Sequence, residues 1–226
     1  MIKKIAIIVA LEPERDLLLG VLEGMQEEKS DLGKSFYRGR VGRLEVIVVQ
    51  SGIGKVNAAI SASELISRYH PDAVINSGVA GGVGDRLKPL DVVAAQKCAY
   101  HDVWCMEPNA YGQVQGCPLY YEAESKLLEQ AVGLGAIPVT LCTGDIFVEK
   151  ENVPAILGHF PDCEVVDMES AAIAQVCYIK KTPFLSLRVI SDSADSENNL
   201  GQYVNFWDEA PKATFRVVRG LLTSLG

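Results

Sequence analysis

The feature that most constrains this chain is a repeated alternation. Short, continuous apolar runs of strand character are followed by amphipathic runs of helical spacing, along the whole sequence. Lys4 to Ala10 is the first such strand, and Glu14 to about Met25 carries Leu17, Leu18, Val21 and Leu22 at helical spacing. Ser35 to Val41 and Leu44 to Gln50 read as two paired strands around a Gly42-Arg43 turn. Gly52-Ile53-Gly54-Lys55 leads into an Ala-rich helix, Val56 to about Tyr69. Asp72 to Asn76 is a strand ending in Ser77-Gly78-Val79-Ala80-Gly81-Gly82. Then come a strand Asp91 to Tyr100, an irregular stretch 101–118 rich in Gly, Pro and aromatics, a helix Glu122 to about Gly133 and a strand Ile137 to Thr143. A short strand Glu164 to Met168 runs straight into a helix Glu169 to Ile179, and Pro183 to Ser191 is a further strand. A polar loop over 192–202 and a helix over roughly 207–225 complete the order. No repeat, low-complexity segment or linker divides the chain, so one domain over 1–226 is expected. Strands alternating with helices predict an α/β domain with a mainly parallel sheet covered on both faces.

Composition narrows the function classes. A chain of 226 residues, 48% hydrophobic and 22% charged, is neither disordered, collagen-like nor a long coiled coil. At this length about 70% of the unfolded surface can be buried. Lys plus Arg is 21 against 29 Asp plus Glu, a formal charge of −8, which repels a phosphate backbone and makes nucleic acid a poor partner. No membrane partner is expected either. The first apolar run, Ile5 to Leu11, is too short to span a bilayer, and Glu12, Glu14 and Arg15 follow at once. The 6 cysteines contain no C-x-x-C and the 3 histidines no zinc-ligand spacing, so no metal site is expected. Most of these cysteines read as reduced structural thiols of a cytoplasmic protein. Cys117, between Gly116 and Pro118, is the candidate for exposure.

In open α/β sheets ligands sit beyond the carboxyl ends of the strands. Those ends here carry Glu12 and Glu14; Ser77 to Gly82; Gly144, Asp145, Ile146 and Phe147; Asp167, Met168 and Glu169; and Ser191 and Asp192. Together they form a constellation, although each has a plain structural reading. Glu14 suits the start of a helix, where the dipole favours it. Asp192 suits a loop or a cap. Met168 and Glu169 suit a core methionine and a helix start. Ser77 to Gly82 is equally a chain reversal or a place where a ligand meets bare backbone. Gly52-Ile53-Gly54-Lys55 lacks the third glycine of a dinucleotide loop and is no Walker loop, so it reads as a tight turn lining a small-molecule pocket. Arg188 lies in the apolar run Phe184 to Ile190, where an unpaired charge is costly, so an acidic partner is expected among the residues just named.

Ser51-Gly52-Ile53-Gly54-Lys55-Val56, Val74 to Gly82, Val166-Asp167-Met168-Glu169-Ser170-Ala171-Ala172 and Arg188-Val189-Ile190-Ser191-Asp192 occur in this order. With Ile5 to Glu14, they resemble the 5′-methylthioadenosine/S-adenosylhomocysteine nucleosidases of the purine nucleoside phosphorylase superfamily, over residues 3 to about 220. The resemblance implies a three-layer α/β fold whose mixed sheet is partly closed into a barrel and flanked by helices. It implies a homodimer in which the partner chain helps close each site. It also implies hydrolysis of the N-glycosidic bond of 5′-methylthioadenosine and S-adenosylhomocysteine, and of 5′-deoxyadenosine, with no metal or cofactor. On this likeness Glu14 activates water. Asp192 protonates the purine at N7, steadied by Ser191. Glu169 binds the ribose hydroxyls next to Met168, with Arg188 nearby. Phe147 stacks on adenine, and the Val148 backbone reads the base edge. Leu11 and Ile53 line the alkylthio pocket, and Val79, Ala80 and Gly81 lie along the substrate.

A phosphorylase must hold a phosphate dianion, usually with arginines. Ala10-Leu11-Glu12-Pro13-Glu14 and Val74-Ile75-Asn76-Ser77-Gly78 offer none, and Arg15 lies on the helix, so water is favoured as nucleophile. Phosphorolysis, a futalosine-type substrate with a bulkier acidic 5′ group, and a catalytically silent nucleoside sensor are the alternatives. The sequence departs from the family at Pro13, often Glu, at Val79, often Ser, and over 101–118. That segment is expected to wall the partner's 5′ pocket with Trp104 and Met106.

Overall fold

The structure, a computed structural model, describes residues 2–206 and 211–225, of which 211–215 are described as backbone only. The strands are β1 Lys4–Val9, β2 Glu23–Lys29, β3 Ser35–Val41, β4 Leu44–Gln50, β5 Ala73–Gly82, β6 Val92–Tyr100, β7 Tyr121–Glu122, β8 Ile137–Thr143, β9 Val165–Asp167 and β10 Phe184–Ser193. The helices are α1 Glu12–Leu19, α2 Lys55–Tyr69, α3 Ser125–Gly133, α4 Val153–His159, α5 Ser170–Lys180, α6 Asn199–Phe206 and α7 Pro211–Leu225.

β5 organises the sheet. One edge pairs with β10 in parallel along most of its length. The other edge forks: Ala73 to Asn76 pair with β1, and Gly81 and Gly82 pair with β9. From β10 the sheet continues through β6 and β8 to β9 and so back to β5, closing those strands into a barrel. From β1 it continues outward through β4 and β3 to β2. The expectation of a mainly parallel sheet needs correcting, because β10–β6, β5–β9, β6–β7, β2–β3 and β3–β4 are antiparallel. The mixed, partly closed sheet implied by the family likeness is what forms.

Two apolar layers flank the sheet. On one side Ala58, Ala62 and Leu65 of α2 and Ala171, Ile173 and Cys177 of α5 pack on Ala6, Ile8, Val74 and Val93. On the other side Leu18 of α1, Leu127 and Ala131 of α3, and Val217, Leu221 and Leu222 of α7 pack on Ile5, Ile7, Ala94 and Leu187. Alternate residues of β1 thus serve opposite layers, which is why its sequence is apolar throughout.

Several expected boundaries shift. The helix expected to reach Met25 ends at Leu19 with Gly20 as its cap, and Leu22 reaches the core from the turn that follows. β2 then forms as an exposed edge strand, held by pairing to β3 rather than by burial. Ser77 to Gly82 is no chain reversal: β5 runs straight through it. Residue 122 belongs to β7, and α3 begins at Ser125, its N-cap Glu124 accepting from the Leu127 amide at 2.7 Å. The polar stretch 192–202 contains the end of β10 and the start of α6. α4, only seven residues long, is too short to show a periodic signal in the sequence. Residues 207–210 of the expected final helix lie outside the described residues.

Candidate active site

A cavity of about 330 Å³ opens where the carboxyl ends of β1, β5, β9 and β10 converge. Every residue that the sequence assigns to the substrate site lines it. Leu11 and Glu14 come from the start of α1, and Ile53 from the turn before α2. Val79, Ala80 and Gly81 come from β5, and Phe147 and Val148 from the loop after β8. Met168 and Glu169 join β9 to α5, and Arg188, Ser191 and Asp192 lie on β10. Asp192 reaches the cavity through an irregularity in the β10–β5 register between Ile190 and Asp192.

One end of the cavity is built around a buried cation. The Arg188 side chain is 1% exposed and its Nη2 donates to Asp167 Oδ2, to Ser170 Oγ at 3.2 Å and to Glu169 Oε2 at 3.4 Å. Asp167 is itself saturated, accepting from Thr143 Oγ1 at 2.5 Å and from Ser170 Oγ at 2.6 Å. Glu14 sits on the other side of the guanidinium. Its Oε2 accepts from the amides of Ala10 at 3.0 Å and Leu11 at 2.9 Å, so the carboxylate caps α1 and faces the cavity at once. The plain and the functional readings of Glu14 are therefore compatible. Gly78 makes this approach possible, since a Cβ there would overlap Arg188 Nη1 and lie 3.0 Å from Glu14 Oε1. Glu169 also accepts from the Gly54 amide at 3.0 Å. Gly54, at φ 95°, holds a backbone conformation in which side chains are strained.

Three carboxyl groups crowd one guanidinium, so the cluster holds more acidic groups than cations. Burial pushes Glu14 above the usual carboxylate range, opposed by the Leu11 amide, Arg188 and the Ala10 amide. Burial likewise raises Glu169 to about 7, opposed by Arg188 and reinforced by Asp167.

The other end holds Asp192, 2% exposed. Burial raises its pKa, and the one counteracting contact is the Ser191 hydroxyl, 2.6 Å from Oδ1. The same hydroxyl lies 3.2 Å from the Ala80 carbonyl. It can donate to Ala80 while Asp192 is protonated and turn to the carboxylate once the proton has left.

Sequence reasoning misses Tyr203 and gives Asp167 no role of its own. Tyr203 of α6 lines the cavity, its ring packed edge-on to Phe147 at 5.5 Å, and no motif announces it. Asp167 stands at a strand end with no role read from its motif, although the unpaired-charge argument for Arg188 points to such a partner. Trp104 and Met106, 54% and 69% exposed, lie outside the lining of this chain's own cavity. Arg188 is the one cation among the described residues of the lining, and Arg15 points away to Glu12, Asp16 and Gln50. Among the described residues no group of three or more His, Cys, Asp or Glu is arranged to hold a metal, and no helix is long and apolar enough to cross a membrane.

Known proteins resemble this chain in sequence and in fold. The sequence profile of the phosphorylase superfamily matches residues 4–223. A 5′-methylthioadenosine/S-adenosylhomocysteine nucleosidase of Chromohalobacter salexigens is 38% identical, over 99% of this chain and 98% of its own. One from Exiguobacterium is 42% identical, over 87% and 88%. Among solved structures, the S-adenosylhomocysteine nucleosidase of Streptococcus pyogenes, in complex with 5-methylthiotubericidin, superposes with a TM-score of 0.94 at 35% identity, covering 99% and 98%. The futalosine hydrolase of Helicobacter pylori superposes with a TM-score of 0.92 at 26% identity, covering 99% of each chain. By these matches the chain belongs to the phosphorylase superfamily and, within it, to the family of 5′-methylthioadenosine/S-adenosylhomocysteine nucleosidases.

Proposed function

We infer that this protein hydrolyses the N-glycosidic bond of 5′-methylthioadenosine and S-adenosylhomocysteine, and of 5′-deoxyadenosine, releasing adenine and the corresponding 5-substituted ribose. The observation that carries this is a pair of buried carboxyl groups in one cavity with opposite surroundings: Glu14 beside a cation, Asp192 without one.

A purine leaves poorly until a ring nitrogen is protonated. Asp192, kept protonated by burial, gives its proton to N7. The bond from C1′ to N9 breaks with its electron pair passing to the base, and the sugar gains oxocarbenium character. Ser191 then donates to the carboxylate that Asp192 has become. Water attacks C1′ from the opposite face and surrenders a proton to Glu14, whose raised pKa makes it a stronger base. The arrangement parallels the acid and base pair of inverting glycosidases. Glu169 accepts from the ribose hydroxyls and its charge stabilises the cationic sugar. Phe147 stacks on the base, the Val148 backbone reads its edge, and Leu11 and Ile53 receive the alkylthio group.

Two features disfavour the alternatives. Arg188, the one cation in the described lining, has its Nη2 engaged by Asp167 and Glu169, and its charge is more than balanced by the carboxyl groups around it, which disfavours a phosphate dianion or an acidic 5′ group. A silent sensor has no use for a base placed opposite an acid.

A homodimer belongs to the same reading. Its support is the exposed apolar set Val56 and Ile60 of α2 with Trp104 and Met106, brought to the same region by the contact of Lys55 with Asp102. Sedimentation at micromolar concentration tests it. A cytoplasmic location and a part in nucleoside breakdown for methionine salvage complete the proposal.

The substrate assignment is tested by chromatography of the free base released from 5′-methylthioadenosine, S-adenosylhomocysteine, 5′-deoxyadenosine and futalosine. The expected order places the two thioether nucleosides first. Preferential cleavage of futalosine overturns it.

A further inference from the structure

The Gly52-Ile53-Gly54-Lys55 turn and the start of the 101–118 segment meet outside the cavity. Lys55 Nζ, at the first residue of α2, donates to both oxygens of Asp102, at 2.7 and 2.6 Å. Asp102 Oδ2 also accepts from the Asp145 amide at 2.9 Å. Asp145 Oδ1 in turn accepts from the Lys55 amide at 2.8 Å. The ring is closed: each of the three residues bonds to the other two through at least one charged group. The Lys55 ammonium also lies 5.5 Å from the centre of the Tyr100 ring. Nearby, buried His101 packs on Gly144, where any Cβ would overlap its imidazole.

These links join two cavity walls that share no covalent connection nearby. The residue before Lys55 is Gly54, whose amide holds Glu169, and before that stands Ile53 in the lining. The residues after Asp145 are Ile146, Phe147 and Val148, all in the lining. We propose that Lys55, Asp102 and Asp145 form a clasp that fixes the spacing between the ribose-binding wall at Glu169 and the base-binding wall at 146–148, with Lys55 as its positioning residue. This rests on the reading that those walls meet the two halves of a nucleoside. The clasp makes no contact with substrate. It acts by holding the two walls at the separation that a purine and its ribose require, so that a bound base arrives in line with Asp192.

The test combines kinetics with amide hydrogen exchange on the full-length protein. Lys55→Met keeps the aliphatic stem and removes the donors, and Lys55→Arg restores a cation. In Lys55→Met the KM for 5′-methylthioadenosine is expected to rise about tenfold, with kcat falling less than about threefold, because a lost ground-state fit acts mainly on binding. Exchange in the unliganded protein rises in 144–148 and 52–56 together, and Lys55→Arg recovers most of both effects. Lys55→Met combined with Asp102→Asn costs no more than Lys55→Met alone, as expected for members of one network. Unchanged exchange at 144–148, or fully additive losses, overturns the proposal. If Lys55→Met does not fold, Asp145→Ala, at a more exposed side chain, takes its place: raised exchange in both segments supports the clasp, and unchanged exchange at 52–56 overturns it. Exchange is read without ligand, so a wild-type protein that failed to cleave nucleosides would refute the functional reading and leave the clasp to be judged on its own.

Discussion

The two ends of the cavity are both buried and both acidic, yet they are built in opposite ways. At the Glu14 end, Asp167, Glu169 and Glu14 crowd one guanidinium, and backbone amides of Ala10, Leu11 and Gly54 supply further donors. At the Asp192 end a single hydroxyl is the whole polar environment in the described contacts of that carboxyl. Burial alone would drive both ends to neutrality. The difference lies in what opposes it: at Glu14 the Leu11 and Ala10 amides and Arg188 favour the ionised form, whereas at Asp192 the Ser191 hydroxyl is the one opposing contact. On the proposed mechanism this contrast sets the base at one end and the acid at the other.

The contrast between the ends breaks most severely if the acid is removed. Asp192→Asn is expected to lower kcat by about 10³-fold and Glu14→Gln by about 10²-fold or more, within the range known for a lost general acid or base. Circular dichroism should show both variants folded. Equal, small losses would mean that the two ends do not differ in role.

Gly78→Ala attacks the cation end through its packing. The added methyl collides with Arg188 Nη1 and crowds Glu14, which is expected to cost about 1–3 kcal/mol of stability and to lower kcat. Thermal unfolding and steady-state rates read both. Unaltered stability would show that Arg188 has room to move.

Glu169→Gln sharpens the picture of a proton-hungry cation end. A carboxyl whose folded pKa is raised from 4.5 to about 7 binds a proton that the unfolded chain has already shed. Stability therefore falls as pH climbs through that window and is level above it. The Gln variant lacks this fall, so relative to the parent it gains on the order of 1–3 kcal/mol between those limits. Urea unfolding at a series of pH values measures it, and a gain toward acid would reverse the sign.

Ser191→Ala is the mildest change. The hydroxyl lowers the Asp192 pKa, so its loss raises that pKa further, and the alkaline limb of kcat/KM moves to higher pH. The maximal rate is expected to change by less than about tenfold, the scale of one hydrogen bond. A limb that moves down contradicts the assigned contact.

Much of this is legible in the sequence, for physical reasons that vary along it. β1 and β10 are apolar on both faces because layers cover both, so their runs are unmistakable. The residues just after such strands form the cavity, which is why Glu14, Glu169 and Asp192 can be named together. Arg188, set in an apolar run, requires a buried acid, and Asp167 is that acid. What sequence does not show is whatever depends on partners distant along the chain. β2 buries almost nothing and exists because β3 is there to pair with it. Ser77 to Gly82 looks like a turn because its glycines are strand positions cleared for Arg188, Glu14 and Val166. Tyr203 gives no local signal at all, since only the return of α6 over the loop after β8 brings it to Phe147.

The polarised cavity makes one demand above the others: neutral water, not a phosphate dianion, must attack the sugar beside the crowded carboxylates. Incubation with 5′-methylthioadenosine in oxygen-18 water, with and without phosphate, tests this directly by mass spectrometry of the sugar product. Equal rates of adenine release in both buffers, and one heavy oxygen at C1 of the ribose, are predicted. Release only with phosphate, yielding a ribose 1-phosphate free of label, would contradict water as the nucleophile.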